Sequence, residues 1–93
     1  MVISLDSAGF VSEVEEKLVP IAPIIEFAIN KQLGVVGADR DNMTTEQAIQ
    51  FIDNMADALE MFLGDGGSRK SRKMMISTLR KYAPEYFEEQ SLI

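Results

Sequence analysis

Residues 10–29 read FVSEVEEKLVPIAPIIEFAI, and this stretch decides the fold. Its apolar side chains fall at Phe10, Val11, Val14, Leu18, Ile21, Ile25, Ala28 and Ile29. At the helical increment of about 100° per residue, all of them share one arc about 100° wide. The stripe keeps its phase across Pro20 and Pro23. That continuity predicts one long helix, roughly over 8–33. It would kink where the two prolines withhold hydrogen bonds from the carbonyls of Glu16 and Val19. The alternative is a break at Val19, with Pro23 opening a second helix. Val19, Ile24 and Phe27 lie outside the stripe, so the second half of the segment is apolar nearly all round. A helix of that kind wants burial on every side. It is either the central helix of a bundle or a face on which copies of the chain associate.

Upstream, residues 1–7 read as a tail or a short extended segment, with Asp6 or Ser7 as N-cap. Downstream, Gly34 and Gly37 end the helix and 38–43 form a polar loop. Thr44 and Gln47 make a capping-box pattern that opens a helix over about 45–63. Gly64 stops it. The turn 64–67 then leads to Ser68, an expected N-cap for a helix over about 69–83. Pro84 ends that helix and suits the start of a short one over 85–90. The fold expected is an all-α, single-domain bundle over 1–93, with three to five helical segments.

The 93-residue chain has no Cys and no His, and its net charge is −6. Without Cys there is no disulfide framework and no thiolate nucleophile or ligand. Without His there is no imidazole base and no His metal ligand. The expectation is a non-enzymatic protein with no cofactor, no catalytic residues and no metal site. No apolar run approaches the roughly 20 residues of a membrane span, so no membrane partner is expected. Residues 1–12 lack a basic region, so a secretory signal is not expected. The Cys-free composition fits a cytoplasmic protein.

The net charge conceals a pattern. Residues 1–68 carry 12 acids and 3 bases, whereas 69–82 carry six bases and no acid. The basic block follows the glycine-rich run 64–71, Gly-Asp-Gly-Gly-Ser-Arg-Lys-Ser. That run ends like a phosphate-binding loop. Arg69, however, occupies a position where such a loop needs glycine, and a helix rather than a strand precedes it. The milder reading is an anion or nucleic-acid site at a helix start, built from Gly66, Gly67, Ser68, Arg69, Lys70, Arg72 and Lys73. Overall acidity disfavours nucleic acid as a partner. The competing expectation is that these cations pair internally with Glu46, Asp53, Asp57 and Glu60, or with Glu88 and Glu89. Among six methionines, Met61 and Met74 fall off the apolar arcs and are the candidates for exposed contacts. The leading expectation is a protein-interaction domain that forms a homodimer through Val19, Ile24 and Phe27, with an unidentified protein as a further partner. Anion or nucleic-acid binding through 66–73 is the alternative.

Overall fold

A computed structural model describes residues 6–83. They form three helices, α1 (Ser7–Leu18), α2 (Ile25–Val35) and α3 (Thr45–Tyr82), with no strand among the described residues. Of the tail or extended segment expected over 1–7, residues 1–5 lie outside the described residues, while Asp6 and Ser7 form the cap and first residue of α1; the segment expected over 85–90, with Glu88 and Glu89, also lies outside them.

Capping chemistry fixes the helix starts. The Asp6 carboxylate accepts from the Gly9 amide at 3.1 Å and opens α1. Thr44 and Gln47 close the expected capping box: the Gln47 amide donates to Thr44 Oγ1 at 3.1 Å, and the Thr44 amide donates to Gln47 Oε1 at 2.9 Å. α2 ends in a left-handed glycine, Gly37 at φ 72°, whose successor Ala38 donates its amide to the Leu33 carbonyl at 2.9 Å. Gly34 itself stays within the helix.

The single kinked helix over 8–33 does not form. The chain leaves α1 after Leu18 and re-enters helix at Ile25, which is the alternative of a break with Pro23 at a helix start. Pro20 has no N–H, and Pro23 disfavours helical geometry at Ala22. The segment between instead makes tighter bonds, Ile21 to the Leu18 carbonyl at 3.0 Å and Ile25 to the Ala22 carbonyl at 2.9 Å. The apolar phase slips there. Ile21, on the expected stripe, is 58% exposed, whereas Ile25 and Ile29 return to the core.

α3 is a hairpin. Gly64 alone departs from helical angles, with φ 72° and ψ 178°. A straight helix would separate residues 53 and 72 by about 28 Å. Yet Arg72 Nη2 donates to Asp53 Oδ1 at 2.8 Å, and Ser68 Oγ donates to the Ala56 carbonyl at 2.6 Å. Only a fold-back at Gly64 allows both. The turn expected over 64–67 thus shrinks to one residue. Ser68 is not an N-cap; it lies inside the second arm, buried against the first. Gly67 serves the same fold: a Cβ there would come within 2.6 Å of Leu63 Cβ.

One apolar cluster ties the elements together. Phe10, Val11, Val14 and Leu18 of α1 meet Ile25, Ile29 and Leu33 of α2, and Ala48, Phe51, Ile52, Met55, Leu59, Met75 and Leu79 of α3. Phe10 and Phe51 pack edge to face, with centroids 6.1 Å apart. The second arm presents Ser68, Ser71, Met75, Thr78 and Leu79 inward.

Candidate functional site

The three residues singled out for self-association do not share one fate. Phe27 is 76% exposed and Ile24 50%, while Val19 is half-buried. Ile21 joins the exposed pair. Residues 21, 24 and 27 follow one another at a helix-like spacing of three, which keeps them on one side of the α2 start. Sequence periodicity placed Ile21 in the core, so it was missed as a surface residue.

Two further exposed apolar side chains, Met61 and Phe62, stand close to the turn of α3. α2 runs antiparallel to the first arm of α3. Gln47 Nε2 donates to the Val36 carbonyl at 3.1 Å. Gln32 and Val35 line a common depression with Asn54, Asp57 and Ala58. Extended by the helical rise, that register would carry 24–28 towards the 61–63 end of the arm. Met61 is 87% exposed and Phe62 55%. Met61 is exposed, as its place off the apolar arc leads one to expect. Met74 is not; it is half-buried against the core, with its sulfur 3.6 Å from Thr78 Oγ1. Phe62 lay on the expected apolar arc of its helix, and only the hairpin tip exposes it.

The basic block is largely engaged with the protein itself. Arg72 bonds Asp53 through Nε at 3.1 Å and Nη2 at 2.8 Å. Arg69 pairs with Asp65 one turn earlier. The Ser68 hydroxyl is held by Ala56, and Gly66 and Gly67 are helical. Of the seven residues, Lys70 and Lys73 are exposed cations with no ion pair among the described residues. Glu46, Asp57 and Glu60 likewise find no basic partner there; of the four expected acids that are described, Asp53 alone does.

Two other charged clusters brace the fold. Glu13 accepts from Lys17 Nζ at 2.9 Å, Lys81 Nζ at 2.7 Å and the Tyr82 hydroxyl at 3.0 Å. Its side chain is only 14% exposed. The hydrogen bonds from Lys81 and Lys17 pull its carboxyl down to about 2. Lys17 also reaches Thr78 Oγ1 at 3.3 Å, so α1 is clamped to the end of α3. Arg40 grips Glu15 with two guanidinium nitrogens, which holds Glu15 below its ordinary value. That fork ties the loop after α2 back to α1.

Among the described residues no group of three or more carboxylates is placed to hold a metal ion, and no helix is long and apolar enough to cross a membrane. Compared with family models, with curated proteins and with solved structures, the chain matches none.

Proposed function

We propose that this all-α protein is a non-enzymatic interaction domain that associates with a second copy of itself through the face made by Ile21, Ile24, Phe27, Met61 and Phe62. The observation that carries the reading is Phe27, an aromatic side chain 76% exposed and one helical step from Ile24, itself 50% exposed. Scattered single apolar residues need no explanation on a surface, whereas a contiguous patch does. Aromatic anchors concentrate binding energy in protein interfaces, and full burial of each large apolar side chain contributes roughly 1.5–3 kcal/mol. Closed two-fold dimers are the commonest way for one patch to cover itself. Val19 is half-buried and offers less surface to such a contact than Ile24 or Phe27. The anion reading has less support, because Ser68, Arg69 and Arg72 already have internal partners.

Light scattering over a concentration series tests the proposal. The expected result is a dimer at micromolar concentration that dissociates at least about tenfold more readily in Phe27→Asp, equivalent to about 1.4 kcal/mol or more. Phe27→Asp should keep its helical circular dichroism, since the side chain is outside the core. A monomeric wild-type protein at several hundred micromolar, on the order of the weakest useful dimers, would remove the proposal's basis.

A further inference from the structure

A second surface, separate from the apolar face, lies along the seam between α2 and the first arm of α3. Two depressions, of about 350 and 460 Å³, open there side by side. Val35 lines both and is 62% exposed. Glu46, Gln47 and Gln50 flank it at one end, and Gln32, Asn54, Asp57 and Ala58 at the other.

The sequence arranges this wall. Glu46, Gln50, Asn54 and Asp57 follow helical spacing and fall within an arc of about 80°. Gln32, Gln50 and Asn54 make no side-chain hydrogen bond among the described residues, although Gln32 and Asn54 are half-buried. Glu46 and Asp57 have no ion partner there. Gln32 and Asn54, half-buried, and Gln50, exposed, thus line the trough with amide donors and acceptors that no other side chain occupies.

We propose that this trough binds a short extended peptide carrying two basic side chains. Amide side chains can bond alternate carbonyls and amides of a backbone laid along them, as a sheet edge does. Glu46 and Asp57 are eleven residues apart, so about 16 Å separates them along the helix. In an extended peptide, side chains two and four residues apart share a face at about 3.3 Å per residue. A five-residue segment therefore sets an apolar central residue on Val35. Its terminal lysines or arginines reach the two carboxylates. The chain's own basic block cannot serve in cis or as this probe's equivalent, because it is helical and two of its arginines are already paired.

The test is an NMR titration of the isotope-labelled full chain with acetyl-Lys-Thr-Val-Thr-Lys-amide. The expected result is fast-exchange shifts confined to Gln32, Val35, Gln50, Asn54 and Asp57, with a dissociation constant on the order of 0.1–1 mM that weakens with salt. Acetyl-Glu-Thr-Val-Thr-Glu-amide should leave those signals in place. Glu46→Lys with Asp57→Lys should weaken the basic peptide at least about tenfold while unrelated signals keep their positions. Val35→Asn keeps both carboxylates and should also weaken it. Equal response to both peptides, or shifts spread over Glu16, Glu26, Asp39 and Asp41, overturns the assignment. So does a change of the trough signals on dilution without peptide, which would make a second copy the occupant. Running the titration on Phe27→Asp as well separates this surface from the apolar face.

Discussion

The Ser68 hydroxyl donates to the Ala56 carbonyl at 2.6 Å, across the fold-back of α3. Ser68 is buried, and this bond joins the two arms close to their turn. Ser68→Ala removes the donor but leaves the carbonyl its ordinary helical partner. The expected cost is about 0.5–1.5 kcal/mol, the net worth of one intramolecular hydrogen bond. In a chain of this size that lowers the melting temperature by roughly 4–8 °C per kcal/mol. An unchanged melting curve for Ser68→Ala would show that the bond is incidental to the hairpin.

The glycines should divide by sign. Gly64, at φ 72° and ψ 178°, occupies a region nearly closed to other residues, so Gly64→Ala should destabilise by about 1–3 kcal/mol. Gly67→Ala should also destabilise, because its new methyl meets Leu63. Gly66 and Gly34 are helical, and a Cβ at either meets nothing within 4 Å. Gly66→Ala and Gly34→Ala should therefore stabilise by about 0.5–1 kcal/mol. Urea unfolding of the four variants reads the pattern. A stabilising Gly64→Ala would sink the hairpin description.

Much of this architecture is legible in the sequence where the signal is local. The capping box at Thr44 and Gln47, the Asp6 cap and the stop at Gly64 depend on neighbouring residues alone. The break between α1 and α2 was less legible. Two prolines and an unbroken stripe support both a kink and a break, and only the tighter bonding around Ile21 decides. The core face of the second arm was obscured for another reason. Ser68, Ser71 and Thr78 recur at helical spacing, but they are polar, and hydropathy assigns them no side. Small hydroxyl residues let two helices approach closely, so their periodicity was the available signal. The candidate sites divide the same way. Phe27 and Ile24 stood out because apolar residues exceeded one helix face. Exposure of Ile21 and Phe62 depends on a phase slip and a hairpin tip, neither of which periodicity contains.

Phe10 and Ile21 test that slip directly. Both lie on the same stripe in the sequence, yet Phe10 is wholly buried against Phe51 and Ile21 is 58% exposed. Phe10→Ala should cost about 3–5 kcal/mol, through lost burial and the cavity left behind. Ile21→Ala should stay within about 0.5 kcal/mol of the parent when the protein is monomeric. Comparable losses at the two positions would restore the continuous helix.

The Glu13 clamp gives a pH dependence with a definite sign. Its carboxyl falls from an ordinary 4.5 to about 2 in the folded protein, chiefly through the hydrogen bonds from Lys81 and Lys17. The unfolded chain therefore takes up this proton first as pH drops. The clamp's contribution is complete above pH 4.5, declines as pH falls below that value and is gone below about 2. Glu13→Gln cannot follow that titration. Its midpoint of urea unfolding should lie below the parent's near neutral pH, and the two should converge as pH approaches about 2. Lys17 and Lys81 are partly exposed, so salt should shrink the neutral-pH gap as well. A gap that stays constant from neutral pH down to about 2 would mean that Glu13 supports the fold by packing alone, with its charge irrelevant to the α1–α3 contact.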